Sequence, residues 1–188
     1  MDALLTTFVA AALAECGDKT QLLVAALAIR YRRAGPILLG VAVAALANSL
    51  IAATGGILLA DFITAQAVSL LVALALVYAG FSGLIGSKQP RMGASWKTGA
   101  FITTAICFFL LEFGDKTQVL TLALAARVDA FALAALGAAA GVVAANAPAA
   151  LLADKLPAIL PMRGLRIGIG AVLLLAGFMV VISALGLV

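Results

Sequence analysis

Along this chain the apolar residues come in long runs, not in the i, i+3, i+4 stripes of a water-soluble helix. Six runs reach the length of about 20 residues that crosses a bilayer: 3–29, 36–60, 66–86, 98–126, 130–152 and 164–187. Their breaks carry turn and charge signals. Arg30 to Pro36 closes the first, and Asp61 to Gln66 separates the second and third. The string KQPRMGASWK, 88–97, is the longest polar stretch. Arg127 and Asp129 follow the fourth run, and Asp154 to Arg163, with Pro157 and Pro161, precedes the sixth. The pattern predicts an all-α membrane protein of six transmembrane helices. Composition agrees: 65% of the residues are hydrophobic and 11% charged, against about 45–50% and 25% in soluble domains. The first run follows an acid rather than a basic segment, so it is expected to persist as a span and not to be cleaved as a signal peptide.

Basic residues sort by loop. Arg30, Arg32 and Arg33 lie between spans one and two, Lys88, Arg91 and Lys97 between three and four, and Lys155, Arg163 and Arg166 around the start of span six. The opposite side has only Arg127. The positive-inside rule therefore predicts cytoplasmic basic loops and both termini outside, N-out/C-out. The net charge of +4 is thus a topology signal, and nucleic acid is not an expected partner.

The chain repeats itself. Glu15 and Glu112 are 97 residues apart, as are Arg30 and Arg127, Gly40 and Gly137, and the AGF strings at 79–81 and 176–178. Asn48 and Asn146 match with a slip of one. These matches predict a first three-helix repeat at 1–87, a cytoplasmic linker at 88–97 and a second repeat at 98–188, forming one membrane domain. Three spans per repeat is an odd number, so the halves are expected to be inverted, as in many secondary transporters.

Charge changes the picture most inside the first and fourth spans. ECGDKT at 15–20 and EFGDKT at 112–117 put two acids and a lysine near the middle of apolar runs, each followed by a glutamine. Three central charges cost roughly 8–10 kcal/mol on the insertion scale, and about ten large apolar residues return roughly 3–6 kcal/mol. The deficit implies that each charged face meets a partner, and the other half supplies one. On a continuous helix, Glu15, Asp18 and Lys19 share a face about 100° wide, with Gln21 at its edge. Glu112, Asp115, Lys116 and Gln118 repeat the arrangement. Thr20 and Thr117 are expected to point elsewhere and bond their own backbone. Gly17 and Gly114 leave room for close approach or local unwinding.

Two motifs together hold four carboxylates and two ammonium groups, a sum of −2 that one divalent cation neutralises. Hard oxygen ligands suit calcium, manganese or magnesium. Asn48 and Asn146 are candidates to add amide oxygens. Within each motif the Glu-to-Lys spacing at i, i+4 favours an ion pair, so Lys19 and Lys116 are expected to hold acids until metal or protons compete. Cation and protons would then alternate on one carboxylate cluster as the halves rock. Purely structural ion pairs between helices are the competing reading.

The two strings resemble the E-x-G-D-[KR]-[TS] signature of a family of membrane cation transporters that includes the Gdt-type Golgi calcium and manganese transporters and the bacterial MneA-type manganese exporters. The likeness covers essentially the whole chain. It implies exchange of Mn²⁺ or Ca²⁺ against protons, with Glu15, Asp18, Glu112 and Asp115 as ion ligands. The acidic linker common in eukaryotic members is replaced here by a short basic one. The chain's brevity points to a bacterium, hence to the inner membrane.

The expected function is therefore a secondary transporter that exports a divalent cation, Mn²⁺ before Ca²⁺, by proton antiport. The direction follows from the resemblance and from an inward proton gradient. A divalent-cation channel with the acids as a selectivity ring is the alternative, and an intramembrane metalloenzyme a third. No phosphate loop, HExxH or serine–histidine arrangement exists, so no enzyme is expected. No permanently bound cofactor is expected either. The absence of histidine weighs against zinc, copper and haem chemistry and leaves protons to the carboxylates.

Lesser features read structurally. Cys16 and Cys107 are expected to be small core residues. Gly137–Gly141 and Gly164–Gly168 fit GxxxG packing within the protomer before a dimer seam. One chain is sufficient for the site, though a homo-oligomer is compatible with it. Tyr31 and Trp96 read as interfacial anchors, Asp61 and Asp154 as span ends, and Pro148 as a kink that opens the fifth helix.

Overall fold

The computed structural model describes residues 2–85, 90, 96–128, 130–155 and 161–187. Lys88, Arg91, Asp129, Pro157 and the Asp154 side chain, all used in the topology reading, lie outside the described residues. Every regular element described is helical: α1 (Asp2–Glu15), α2 (Lys19–Tyr31), α3 (Ala34–Ala60), α4 (Ala65–Ile85), α5 (Ala100–Glu112), α6 (Lys116–Arg127), α7 (Phe131–Leu152) and α8 (Met162–Ala184), with a short 3₁₀ turn at Ala153–Lys155. Four of them, α3, α4, α7 and α8, are long and apolar enough to cross a membrane.

The first and fourth apolar runs differ from expectation. Each is two shorter helices, α1 with α2 and α5 with α6, and the break falls on the charged motif. The cause is local. Gly17 and Gly114 have φ of +78° and +76°, a conformation that glycine adopts without steric penalty and that no α-helix contains. Hydropathy averages over such a break and does not register it. Pro148, by contrast, does not end α7, which runs on to Leu152.

Helix packing crosses the two halves. α1 lies on α7, α5 on α3, and α4 on α8. Small residues permit the approach. A Cβ at Gly40 would stand 2.9 Å from the Phe101 carbonyl oxygen on α5. At Gly80 it would stand 2.7 Å from the Gly170 carbonyl oxygen on α8. Gly137 and Gly141 meet the α1 backbone at Leu4 and Phe8, so this GxxxG is an internal contact. Gly164 and Gly168 have nothing within 4 Å. Among the described residues, that second GxxxG therefore makes no close packing contact, and α8 turns Gly170 and Gly177 inward instead.

Outward-facing positions are apolar, among them Leu39, Leu74, Leu175, Phe178 and Met179. The buried polar residues, Glu15, Asp18, Gln21, Asn48, Glu112, Lys116 and Asn146 among them, lie inside. This inversion of the soluble pattern is what a hydrocarbon surround selects. Cys107 is fully buried, Cys16 partly, and both thiols are free. Tyr31 donates to or accepts from Thr103 at 2.9 Å and donates to the Thr98 carbonyl, also at 2.9 Å. Arg30 lies 4.8 Å over the Tyr31 ring and donates to the Trp96 carbonyl. These contacts tie the end of α2 to the start of α5.

Candidate metal centre

At each break the chain leaves one helix at the glutamate and enters the next after the aspartate, so Asp18 and Asp115 are the N-cap residues of α2 and α6. Two helix N-termini, with their partial positive charge, thus start beside buried acids. The common face drawn for a continuous helix does not exist, because the left-handed glycine turns the chain between glutamate and aspartate. The unwinding that Gly17 and Gly114 permit is the geometry found.

Each glutamine braces its own break. Gln21 accepts from the Gly17 N–H at 2.8 Å and donates to the Ala145 carbonyl of α7. Gln118 accepts from the Gly114 N–H at 2.5 Å and donates to the Asn48 carbonyl of α3 at 3.5 Å. Asn48 and Ala145 are themselves 97 residues apart, so the same bridge is built twice, each time to the opposite half. Both amide oxygens face glycine N–H groups here.

The ion pairs also cross between halves. Lys116 pairs with Asp18, and Lys19 with Asp115 at 3.2 Å. The expected pairing of each lysine within its own motif is therefore corrected: the break moves the glutamate off the lysine's helix, and the facing aspartate takes its place. With Asp18 and Asp115 each matched, the remaining charge of the cluster falls on Glu15 and Glu112.

Those two differ. Glu15 accepts from Thr20 through Oε2, at 2.5 Å, and from Thr117 through Oε1, at 2.6 Å. The expectation that both threonines bond their own backbone is overturned, since the turn brings both hydroxyls onto one carboxylate. Glu112 is also buried, yet neither oxygen has a hydrogen-bond partner among the described residues. Asp115 Oδ2, Asn48 Oδ1 and Asn146 Oδ1 are also buried without a partner. The amide nitrogens of Asn48 and Asn146 donate to Phe109 and Val142 carbonyls, at 3.2 and 2.9 Å, which leaves the oxygens as the free ends.

Ligand oxygens of Glu15, Glu112 and Asp115 lie within 4.8 Å of one another. A hard cation with ligands at about 2.3–2.6 Å spans opposite oxygens about 5 Å apart. A small pocket beside Glu112 is lined by Asn48, Ser49, Thr117, Gln118 and Thr121. An unpaired buried carboxylate costs several kcal/mol unless a proton or cation meets it. The arrangement can therefore hold either one at the same oxygens.

Two residues beside the site were not singled out as site residues in the sequence. Ser49 is hidden in an apolar run, though its place next to Asn48 was a signal. Arg166 lines a second pocket with Cys16, Asp18 and Lys116, and in the sequence it carries only a topology meaning.

Residues 3–91 and 100–187 match the family described as divalent cation/proton antiporter GDT1. A protein of Vibrio cholerae serotype O1, named as a candidate manganese exporter, is 40% identical over 128 residues. That match takes in 68% of this chain and 64% of the relative, so somewhat under two thirds of the relative's length is spanned. No solved structure matches. Matched over nearly its whole length, the chain belongs to the GDT1 family of divalent cation/proton antiporters.

Proposed function

We propose that this protein exports Mn²⁺, with Ca²⁺ as the second candidate, in exchange for protons at a single carboxylate cluster. The observation that carries the reading is Glu112: a buried carboxylate with two unpartnered oxygens, within 4.8 Å of ligand oxygens from Glu15 and Asp115. Glu15, Glu112 and Asp115 hold the ion, and Asn48 adds its free amide oxygen. Asp18 and Asn146 are the equivalent ligands when the halves exchange roles. Gln21 and Gln118 join only if they release their glycines, and otherwise fix the breaks. Lys19 and Lys116 neutralise the aspartates across the cluster. Protons taken up as metal leaves, enough to match its two charges, restore neutrality, which couples the two fluxes.

The architecture proposed is six crossing segments in two inverted repeats, two of the segments broken at the site. Its support is the reciprocal packing of α1 on α7 and α5 on α3, together with the division of the family match into two stretches of similar length. Broken helices with their ends at a midplane ion site are the pattern of secondary transporters. The basic loops support a reading in which α8's N-terminal side faces the cytoplasm of a bacterial inner membrane, with both chain ends outside.

The test is flux in proteoliposomes carrying an internal pH probe. Imposing a proton gradient should drive Mn²⁺ against its own gradient, and Mn²⁺ should move protons in return. Metal flux with no pH change under a clamped potential would instead mark a channel and sink the antiport.

A further inference from the structure

Arg166 lies in the second turn of α8, and α8 covers one of the two breaks. A Cβ added at Gly17 would stand 2.8 Å from Arg166 Cβ and 3.3 Å from the Met162 carbonyl oxygen. Arg166 Nε donates to the Gly83 carbonyl on α4 at 2.9 Å. The side chain is thereby held between α4 and the first motif, lining a small pocket with Cys16, Asp18 and Lys116.

The second break has no such cover. Among the described residues, nothing stands within 4 Å of a Cβ built at Gly114. The residue 97 positions before Arg166 is Ser69. Its hydroxyl bonds back along its own helix, to the Ala65 carbonyl at 3.0 Å. The guanidinium is therefore a feature of one half alone, and repeat symmetry does not require it.

Charge gives the asymmetry a meaning. Asp18 and Lys116 pair, and Arg166 adds a second cationic side chain to the lining of their pocket. A divalent cation approaching Asp18 by that route meets the positive charge of Arg166. We propose that Arg166 is the gate residue of the ECGDKT side: latched to the Gly83 carbonyl, it closes the pocket over Asp18 to cations and withdraws with α8 when that side opens. This rests on the transport reading above.

Cys16 lines the same pocket and reports the gate without any transport. In a full-length Cys107→Ala background it is the single thiol. A membrane-impermeant cationic methanethiosulfonate, added on the side where α8 begins, should label it slowly. Arg166→Gln should raise that rate by roughly tenfold or more, the scale on which local charge changes encounter rates. Arg166→Lys keeps the charge but loses the planar Nε contact. It should stay slow toward the cationic reagent and speed up toward a neutral reagent of similar size. Equal rates in the parent and both variants overturn the gate, whatever the flux assay shows. Variants that differ from the parent as expected, in a protein that carries no Mn²⁺, uphold the gate and sink the transport reading alone.

Discussion

ECGDKT and EFGDKT differ at one position of six, yet their environments are not alike. The first glutamate holds two threonine hydroxyls, one from each motif, while the second holds none. Lys116 is sunk in the protein at 4% side-chain exposure, whereas Lys19 keeps 30%. Gly17 is covered by α8, and Gly114 is open. Nearly identical sequence thus occupies two states at once. The difference belongs to the conformation of the whole chain, which a two-sided carrier must be able to reverse.

Substitutions in matched pairs measure that difference. Lys116→Ala removes the buried ammonium that pairs with Asp18 and should cost about 3–5 kcal/mol of stability. Lys19→Ala should cost about 0–1 kcal/mol, because solvent screens a partly exposed pair. Thermal melts in detergent read both, and equal losses would erase the asymmetry. Next come the glutamates. Glu112→Gln should weaken equilibrium Mn²⁺ binding roughly 100-fold, about 2.7 kcal/mol. Glu15→Gln should weaken it roughly tenfold, about 1.4 kcal/mol, since its oxygens are already engaged. Isothermal titration separates the two, and a larger loss in Glu15→Gln would reverse the assignment of the free carboxylate. The hydroxyls come last. Thr117→Val should destabilise the protein by about 1–2 kcal/mol through the lost donor to Glu15, and Thr117→Ser should restore it. A silent Thr117→Val would remove that hydrogen bond from the account.

Much of this was legible in the chain. The apolar runs mark the long helices α3, α4, α7 and α8 to within about two or three residues at most ends, a normal uncertainty for helix boundaries. The repeated motif singled out the acids that the fold gathers. What stayed hidden depends on one backbone angle. A helical wheel assumes φ near −63° throughout, and at Gly17 and Gly114 the sign is reversed. With that turn, Thr20 and Thr117 swing onto Glu15, and the lysines reach the opposite aspartates. Arg166 was hidden for a different reason. A basic residue near a span end already has an explanation in membrane topology, and only the approach of α8 to Gly17 gives it a second one.

The paired glutamine bridges bear on how such a chain could have arisen. Gln21 reaches a carbonyl in the second half and Gln118 one in the first, just as each aspartate finds its lysine in the other half. A three-helix ancestor would have lacked both the acceptor for its glutamine and the counter-ion for its acid. It would have been complete only as a two-copy assembly. On the two-repeat architecture proposed above, joining the copies by a linker would make stoichiometry a property of the gene and would free one copy to acquire an arginine that its sibling does not carry.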